Sequence, residues 1–187
     1  MRDGHEAPVI LPEPRTAIEA ADIERVRALL GGPDPWGRGT SLHLTASALI
    51  VHPPTRRVLL RWHARQQAWL QVGGHADAGE SDPLQIALRE GAEETGLTDL
   101  TPWPDGSPVH LVIVPVPAAP HEPAHEHADL RFLLVTDTPD AVRPESPDSP
   151  LRWLSLAEAR ELTTEANARE TIDRAAALLG AAHPRQT

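Results

Sequence analysis

The chain has no cysteine among its 187 residues. Disulfide bonds, thiolate catalysis and cysteine-based zinc sites are therefore excluded. Tyrosine is also absent and phenylalanine occurs once, which argues against an RNA-binding sheet that stacks bases on exposed aromatic side chains. The formal net charge of −10 opposes non-specific nucleic-acid binding, because that binding depends on neutralising phosphates with basic side chains. A small phosphorylated ligand remains compatible with this charge, since a divalent metal ion can supply positive charge locally.

Long apolar runs are lacking as well. No stretch approaches the roughly 20 apolar residues of a transmembrane helix, and the first residues lack the basic and apolar regions of a signal peptide. We therefore expect a cytoplasmic protein with a small-molecule partner, no membrane and no nucleic acid. The length fits one domain. Residues 1–14 are interpreted as a flexible lead-in, and residues 15–182 as a single domain with an N-terminal accessory helix and a C-terminal helix. The oligomeric state is left open, with a homodimer as one option.

Apolar alternation and β-branched residues predict strands on both sides of one acidic helix. The predicted strands are 42–51, 57–62, 68–72, 109–116, 129–136 and 151–154. Further helices are predicted from about Thr16, with Glu19 completing a capping box, after Ser155 and from about Asn167. The segment 98–108 is interpreted as a loop. This order of elements predicts a layered α/β or α+β domain.

The acidic helix has clear boundary signals. Asp82 is a good N-cap, Pro83 suits the first helical position, and Gly96 can supply the left-handed residue that ends the helix. At about 100° per residue, three glutamates of this helix fall within an arc of roughly 100°.

These glutamates are Glu90, Glu93 and Glu94. Like charges three and four residues apart repel on a helix, so the arrangement gains nothing unless a cation lies nearby. Oxygen-only clusters suit hard ions such as Mg²⁺. The alternative is a solvated acidic face on which Arg89 pairs with Glu93 or Gln85.

The stretch from Gly73 to Leu97 resembles the Nudix box. That motif runs through a glycine, five residues, a glutamate, seven residues, Arg-Glu, an apolar residue, any residue, Glu-Glu, any residue, a glycine and an apolar residue. The residues that match in type are Gly74, Glu80, Arg89, Glu90, Glu93, Glu94, Gly96 and Leu97. Eight residues rather than seven separate Glu80 from Arg89, and Gly91 stands where an apolar side chain is usual. The run 151–158 also resembles the last strand and helix start of Nudix domains, so the resemblance covers about residues 40–160.

The resemblance implies a fold and a reaction. The fold is an α/β/α sandwich around a mixed β-sheet. The reaction is metal-dependent hydrolysis of a pyrophosphate bond, by activated-water attack on phosphorus, in a nucleoside diphosphate linked to another moiety or in a related nucleotide. The protein would thus be a Nudix-type pyrophosphohydrolase. The alternatives are a Nudix-fold module that binds a nucleotide diphosphate without hydrolysing it, and a structural domain with an acidic surface helix.

The resemblance also implies roles for individual residues. Glu90, Glu93 and Glu94 would hold Mg²⁺ or Mn²⁺, and the catalytic set would be Glu94, Glu93 and Arg89, with the arginine orienting the carboxylates. Gly73 and Gly74 would bring the backbone close to the phosphates. The inserted residue leaves Glu80 as an outer acid whose role is open. The candidates for the general base are Glu94, Glu126 and Glu145.

A second polar group follows the spacing His-x-His-x-Asp at His125, His127 and Asp129. Alternation in an extended segment would place these side chains on one face. They are candidates for metal ligands, for contacts to substrate phosphate or sugar, or for a polar solvated face. His43 and His75 are interpreted as structural or rim residues.

Overall fold

The computed structural model describes residues 8–120 and 122–182, which form one mixed sheet and four helices. The strands are β1 (Leu42–His52), β2 (Arg57–His63), β3 (Ala68–Leu70), β4 (Val72–Gly74), β5 (Thr101–Trp103), β6 (His110–Val116), β7 (His125–Val135) and β8 (Leu151–Ser155). The helices are α1 (Ala17–Leu30), α2 (Pro83–Thr95), α3 (Leu156–Leu162) and α4 (Ala166–Ala182). Within the described ranges, no helix is long and apolar enough to cross a membrane.

The two longest strands, β1 and β7, lie side by side and parallel at the centre of the sheet. The other edge of β1 pairs antiparallel with β4 and then with β2, and β2 continues to β3 and β8. The other edge of β7 pairs antiparallel with β6 and then with β5. All the predicted strands are present, but the run 68–72 divides into β3 and β4. The prediction of an uninterrupted loop at 98–108 is wrong, because β5 lies there; its Pro102 is tolerated since β5 is a short strand that pairs only with β7.

Helices cover both faces of the sheet, so the predicted α/β/α sandwich is confirmed. One core packs α1 and α2 against alternate residues of β1 and β7, among them Leu44, Ala46, Ile50, Leu130 and Leu134. The other core packs α3 and α4 against the residues between them, among them Leu49, Val51 and Leu133. Strands buried on both sides account for the apolar run 48–51 in β1.

The face that carries α3 and α4 is apolar at only one end. Going along β1, the residues on this face change from polar to apolar after Ser47, and those of β7 change after Arg131. The parallel register pairs like with like: His43 with His127, Thr45 with Asp129, Ser47 with Arg131, then Leu49 with Leu133 and Val51 with Val135. The apolar end is therefore available for packing, and the polar end is available for a site.

The N-terminal helix is anchored by a buried ion pair that the sequence did not reveal. Thr16 caps α1 by accepting from the Glu19 amide (3.1 Å), as predicted. Glu19 does not complete the predicted capping box; its carboxylate accepts from the Arg15 amide (2.8 Å) and from Arg174 of α4 (2.7 and 2.8 Å). Ile18, in the first turn of α1, is 76% exposed. The first half of the predicted lead-in, residues 1–7, lies outside the described residues, whereas Val9 and Leu11 pack against the core.

Replacing Glu19 by alanine should lower the free energy of unfolding by about 3 kcal/mol, because it leaves the Arg174 guanidinium buried without its main counter-charge. The estimate is at the low end for a broken buried pair because Glu170 still accepts from Arg174 (2.8 Å). Urea denaturation measures the change. Glu24→Ala is the matched control on the same helix: Glu24 forms an exposed pair with Arg27, for which a loss of about 0–1 kcal/mol is expected. Equal losses in the two variants would contradict the assignment of α1 anchoring to Glu19.

Candidate active site

Helix α2 begins and ends where the sequence predicts. The Asp82 carboxylate accepts from the amides of Leu84 (2.9 Å) and Gln85 (3.3 Å), and Gly96 closes the helix with a φ of +68°. Gly91 permits close approach of the neighbouring chain: a Cβ at this position would meet the Leu100 side chain at 3.0 Å. The glycine at a usually apolar position is therefore explained by packing.

The three glutamates of α2 differ in burial. The side chain of Glu93 is 55% exposed, that of Glu90 is 16% exposed and that of Glu94 is 11% exposed. The alternative of a uniformly solvated acidic face is thus wrong for two of the three acids. Burial raises the pKa of Glu90 above its usual value and raises the pKa of Glu94 to about 7. Two carboxylates are held where their negative charge is poorly solvated.

Arg89 joins the acids to the preceding loop. Its Nη1 donates to both Glu90 and Glu93 at 3.0 Å, and its Nη2 donates to the carbonyl oxygen of His75 (2.8 Å). The opposite edge of the guanidinium group, through Nε and Nη2, donates to Glu80 at 2.9–3.2 Å. These hydrogen bonds lower the pKa of Glu80. The inserted residue in the turn before α2 therefore does not carry Glu80 away from the acids.

Gly73 and Gly74 lie in β4, where the chain passes between β1 and the acids of α2. A Cβ on Gly73, whose φ is +149°, would meet the Cβ of Ser47 at 2.4 Å. A Cβ on Gly74 would meet the Glu90 carboxylate at 2.6 Å. Glycine at these two positions leaves room for Ser47 on one side and for the Glu90 carboxylate on the other. Packing is therefore a reason for the two glycines that were predicted to approach the substrate phosphates.

Glu94 is held between two donors. Its carboxylate accepts from the Gly73 amide (3.1 Å) and pairs with Arg61 of β2 (3.1 Å). Arg61 also pairs with Glu145 (3.2 Å), so the structure brings two of the three candidate bases together. Glu126 instead pairs with Arg25 of α1 (2.6 Å). Arg61 was not predicted from the sequence, where it directly follows the apolar run 58–60 of β2.

A pocket of about 220 Å³ opens beside these groups. Gly73 and Gly74 line one side of it, and the polar end of the β1–β7 pair forms another. Asp129 is 8% exposed there and accepts from Thr45 (3.1 Å), Ser47 (2.8 Å) and Arg131 (2.8 Å). The predicted alternation of β7 is confirmed, but the alternative of a solvated face is wrong because His125 and Asp129 are buried and His127 is half-buried.

The sequence grouped His125 and His127 with Asp129, and the structure separates them. The two histidines contact His43 of β1 and His75 of the loop after β4. Burial is the main reason why the pKa of His43 is lowered and why those of His75 and His127 fall to about 4 and about 3. His43 and His75 are therefore parts of a histidine cluster at the edge of the pocket, and this grouping was not foreseen.

The chain is similar in sequence and in fold to known proteins. A family model described as NUDIX domain matches residues 41–175. A protein of Lactococcus lactis subsp. cremoris named probable DHNTP pyrophosphohydrolase is 34% identical over 122 residues, which cover 64% of this chain and 68% of that protein. Among solved structures, a C. elegans Ap4A hydrolase in a binary complex has a TM-score of 0.59 at 22% identity, covering 74% of this chain and 98% of that one. The E. coli dihydroneopterin triphosphate pyrophosphohydrolase has a TM-score of 0.53 at 21% identity, covering 70% and 92%. At such identities the two structures support the fold alone.

The buried carboxylate of Glu94 should make the metal-free protein less stable at alkaline pH. Its pKa of about 7 in the folded chain lies above the ordinary glutamate value of 4.5. The stability due to the protonated form is therefore fully present below pH 4.5 and is lost as the pH rises through 7. Glu94→Gln should relieve this loss and raise the free energy of unfolding at pH 8 by up to about 3 kcal/mol.

The measurement is urea denaturation in EDTA at pH 5, 6, 7 and 8. Glu145→Gln is the matched control, because Glu145 pairs with the same arginine but is 56% exposed. A difference between Glu94→Gln and the unchanged protein that stays constant over this pH range would show that Glu94 does not titrate there.

Proposed function

The chain belongs to the Nudix hydrolase family and is a Nudix-type pyrophosphohydrolase, and from this we propose that it uses a divalent metal ion to cleave a pyrophosphate bond in a nucleoside diphosphate linked to another moiety, or in a related nucleotide. The observation that carries the proposal is the pair of carboxylates of Glu90, which is half-buried, and Glu94, which is buried, held against Gly74 and Gly73 at the side of the pocket. Burial raises the pKa of both groups and so marks a place where negative charge is poorly solvated.

The donors fit a hard divalent ion. Glu90, Glu93 and Glu94 offer carboxylate oxygens only, which suits Mg²⁺ or Mn²⁺. When bound, such an ion would offset the charge of the substrate phosphates and lower the pKa of a water molecule. The partial exposure of Glu93 leaves this side of the cluster open to a phosphorylated ligand.

The role we assign to Arg89 is positioning. One nitrogen holds Glu90 and Glu93 together, while Glu80 and the His75 carbonyl fix the guanidinium plane from the other side. Arginine suits this role because its planar group donates in several fixed directions at once. Glu80 then acts through Arg89, as an outer acid that does not need to touch the substrate.

Among the candidate bases, the contacts favour Glu94. A carboxylate with a pKa near 7 can take a proton from water at neutral pH and release it again. Glu126 is less suited, because its ion pair with Arg25 lowers its pKa and ties it to α1. Glu145 shares Arg61 with Glu94 and would adjust the charge around the base.

The remainder of the substrate would occupy the pocket. Its floor presents the Asp129–Arg131 pair, and its wall presents Gln71 and Asn167. Such a lining suits the polar edge of a base or ring system. The L. lactis relative and the E. coli structure are named for dihydroneopterin triphosphate, and the C. elegans protein for Ap4A. These two compounds belong in a substrate panel beside nucleotide sugars, coenzyme derivatives and oxidised nucleoside triphosphates.

The binding module without turnover is disfavoured by the same contacts. A module that only recognises a nucleotide diphosphate has no need of a buried acid whose pKa lies near 7, nor of an arginine that aligns two further acids. The arrangement is costly to maintain, since removing charge from it is expected to stabilise the metal-free fold. That cost is accounted for if the acids take part in catalysis.

Glu94→Gln and Glu90→Gln should each fold normally and lose metal-dependent turnover by several orders of magnitude, because a neutral amide is a weaker ligand and a far weaker base. The measurement is phosphate-product release from the substrate panel with Mg²⁺ and with Mn²⁺. Glu161→Gln, on the exposed surface of α3, is the control and should keep full activity. Full activity in the folded Glu94→Gln variant would overturn the assignment of Glu94.

Arg89→Lys should lower kcat by about 10–100-fold, as expected for a group that orients ligands without binding the ion itself. An ammonium group keeps the charge but does not reach Glu80, Glu90 and Glu93 in fixed directions. Steady-state kinetics against Mg²⁺ concentration gives the result, and Arg27→Lys, in the exposed pair with Glu24 on α1, is the control. Unchanged kinetics in Arg89→Lys would mean that charge alone, and not direction, is what Arg89 provides.

A further inference from the structure

We propose that His43, His75, His125 and His127 form a second metal site, selective for Zn²⁺ and separate from the glutamates of α2. The proposal does not depend on the hydrolytic reaction. It rests on the positions of four imidazole nitrogens that the pyrophosphatase chemistry leaves unused.

Three of the contacts between the Nε2 atoms have the spacing found between ligands of a tetrahedral ion. The Nε2 atom of His75 lies 3.1 Å from that of His43 and 3.2 Å from that of His127, and the Nε2 atoms of His127 and His125 are 3.0 Å apart. Ligand atoms of His43, His125 and His127 all lie within 4.8 Å of one another. Zinc–nitrogen bonds of about 2.0–2.1 Å in a tetrahedron place the nitrogens about 3.3 Å apart. The three contacts need to open only slightly to admit the ion, and His75, which contacts His43 and His127, would complete the tetrahedron by moving toward His125.

Hydrogen bonding within the cluster does not account for these contacts. The Nδ1 atoms of His43 and His125 lie near the carbonyl oxygens of Thr40 (3.4 Å) and Pro123 (2.9 Å). A carbonyl accepts only, so each of these rings carries its proton on Nδ1 when neutral and presents a bare Nε2 to the cluster.

Too few Nε2 protons then remain to make a hydrogen bond at every contact in the cluster. Neutral His75 and His127 can each supply one Nε2 proton, and each proton can serve one contact. Three close contacts link the four Nε2 atoms in a chain, so at least one contact is left without a proton. A cation at the centre satisfies all four lone pairs at once.

The framework of the site is rigid on three sides. His43 and His127 are register partners in the parallel β1–β7 ladder, and His125 lies two residues before His127 on the same strand. His43 is 1% exposed and His125 is 9% exposed. Nδ1 contacts to backbone carbonyls are the usual way in which a zinc-bound histidine is oriented. His75 is the ligand that comes from the loop.

The donor set selects the ion. Imidazole nitrogens bind zinc well, whereas Mg²⁺ takes oxygen ligands. Four protein ligands close the coordination sphere, which is the arrangement of a structural zinc site and not of a catalytic one. The nearest acid is Glu122, 3.6 Å from Nε2 of His125, and it adds negative charge at the rim. Arg38 opposes it, since its charge reaches His43 and His75.

The site would connect the sheet with the loop after β4. Three ligands belong to the sheet, and the carbonyl oxygen of His75 accepts from Arg89 (2.8 Å). A bound ion would therefore hold the loop after β4 against the sheet and fix one of the groups that orient Arg89.

The test uses the whole chain. The protein is stripped with chelator, given Zn²⁺ and then dialysed against buffer containing Mg²⁺, which competes for the oxygen ligands of α2 but not for imidazoles. We expect one zinc ion per chain by elemental analysis, a higher melting temperature with zinc than with Mg²⁺ alone, and an affinity lower on the order of 100-fold in His127→Ala and His125→Ala. His52→Ala is the control, because His52 lies on β1 and contacts Thr55 outside the cluster; it should retain zinc fully.

Two results would overturn the proposal: dialysed protein that retains far less than one zinc ion per chain, or equal retention in the His127→Ala, His125→Ala and His52→Ala variants. Zinc that is lost in a Glu90→Gln/Glu93→Gln double variant but kept in His127→Ala would also overturn it, by placing the ion on α2. The Co²⁺ form of the unchanged protein gives a test that needs no variant. Four nitrogen ligands in a tetrahedron produce strong visible absorption, whereas weak absorption typical of six oxygen ligands would contradict the site.

Discussion

The parallel pairing of β1 with β7 is the constraint on which the rest of the structure depends. Ten residues of each strand are in register, from Leu42 opposite Glu126 to Val51 opposite Val135. A shift of the register by one residue would turn the polar residues of one strand toward the other face. Both cores, the floor of the pocket and the histidine cluster would be lost together. The apolar ends of the two strands, covered by α3 and α4, hold the register in which the polar ends meet.

Electrostatic imbalance distinguishes the acidic cluster from an ordinary ion-pair network. Three carboxylates, those of Glu80, Glu90 and Glu93, share the single positive charge of Arg89, and Glu94 and Glu145 share that of Arg61. The protein does not neutralise these acids fully, and it places two of them where water solvates them poorly. Such an arrangement gains stability when a cation binds and loses it when the cation leaves.

The sequence predicted those parts of the molecule that depend on neighbours along the chain. The boundaries of α2 follow from Asp82 and Gly96, whose effects are local. The alternation of β7 could also be predicted, although the strand begins at His125, before its predicted start at Asp129. The burial of individual side chains could not be predicted, because it depends on which distant segments of the chain pack against them. Helical periodicity put Glu94 on the same side as Glu93, and only the approach of β2 and β4 shows that Glu94 is buried beside Arg61.

The histidine cluster shows the same limit more sharply. His43, His75 and the pair on β7 are separated by up to 84 residues along the chain, and no local pattern connects them. Asp129 was predicted as a third partner of His125 and His127, because alternation puts all three on one face. In the folded chain Asp129 accepts hydrogen bonds from Thr45, Ser47 and Arg131, so its charge is paired with that of Arg131 and three of its acceptor sites are used. The two remaining histidines turn instead toward His43, which the register places opposite His127, and toward the loop that His75 shares with Arg89. His75 therefore joins the two clusters. Its ring faces the histidine cluster, and its carbonyl oxygen accepts a hydrogen bond from Arg89, which holds the carboxylates of α2.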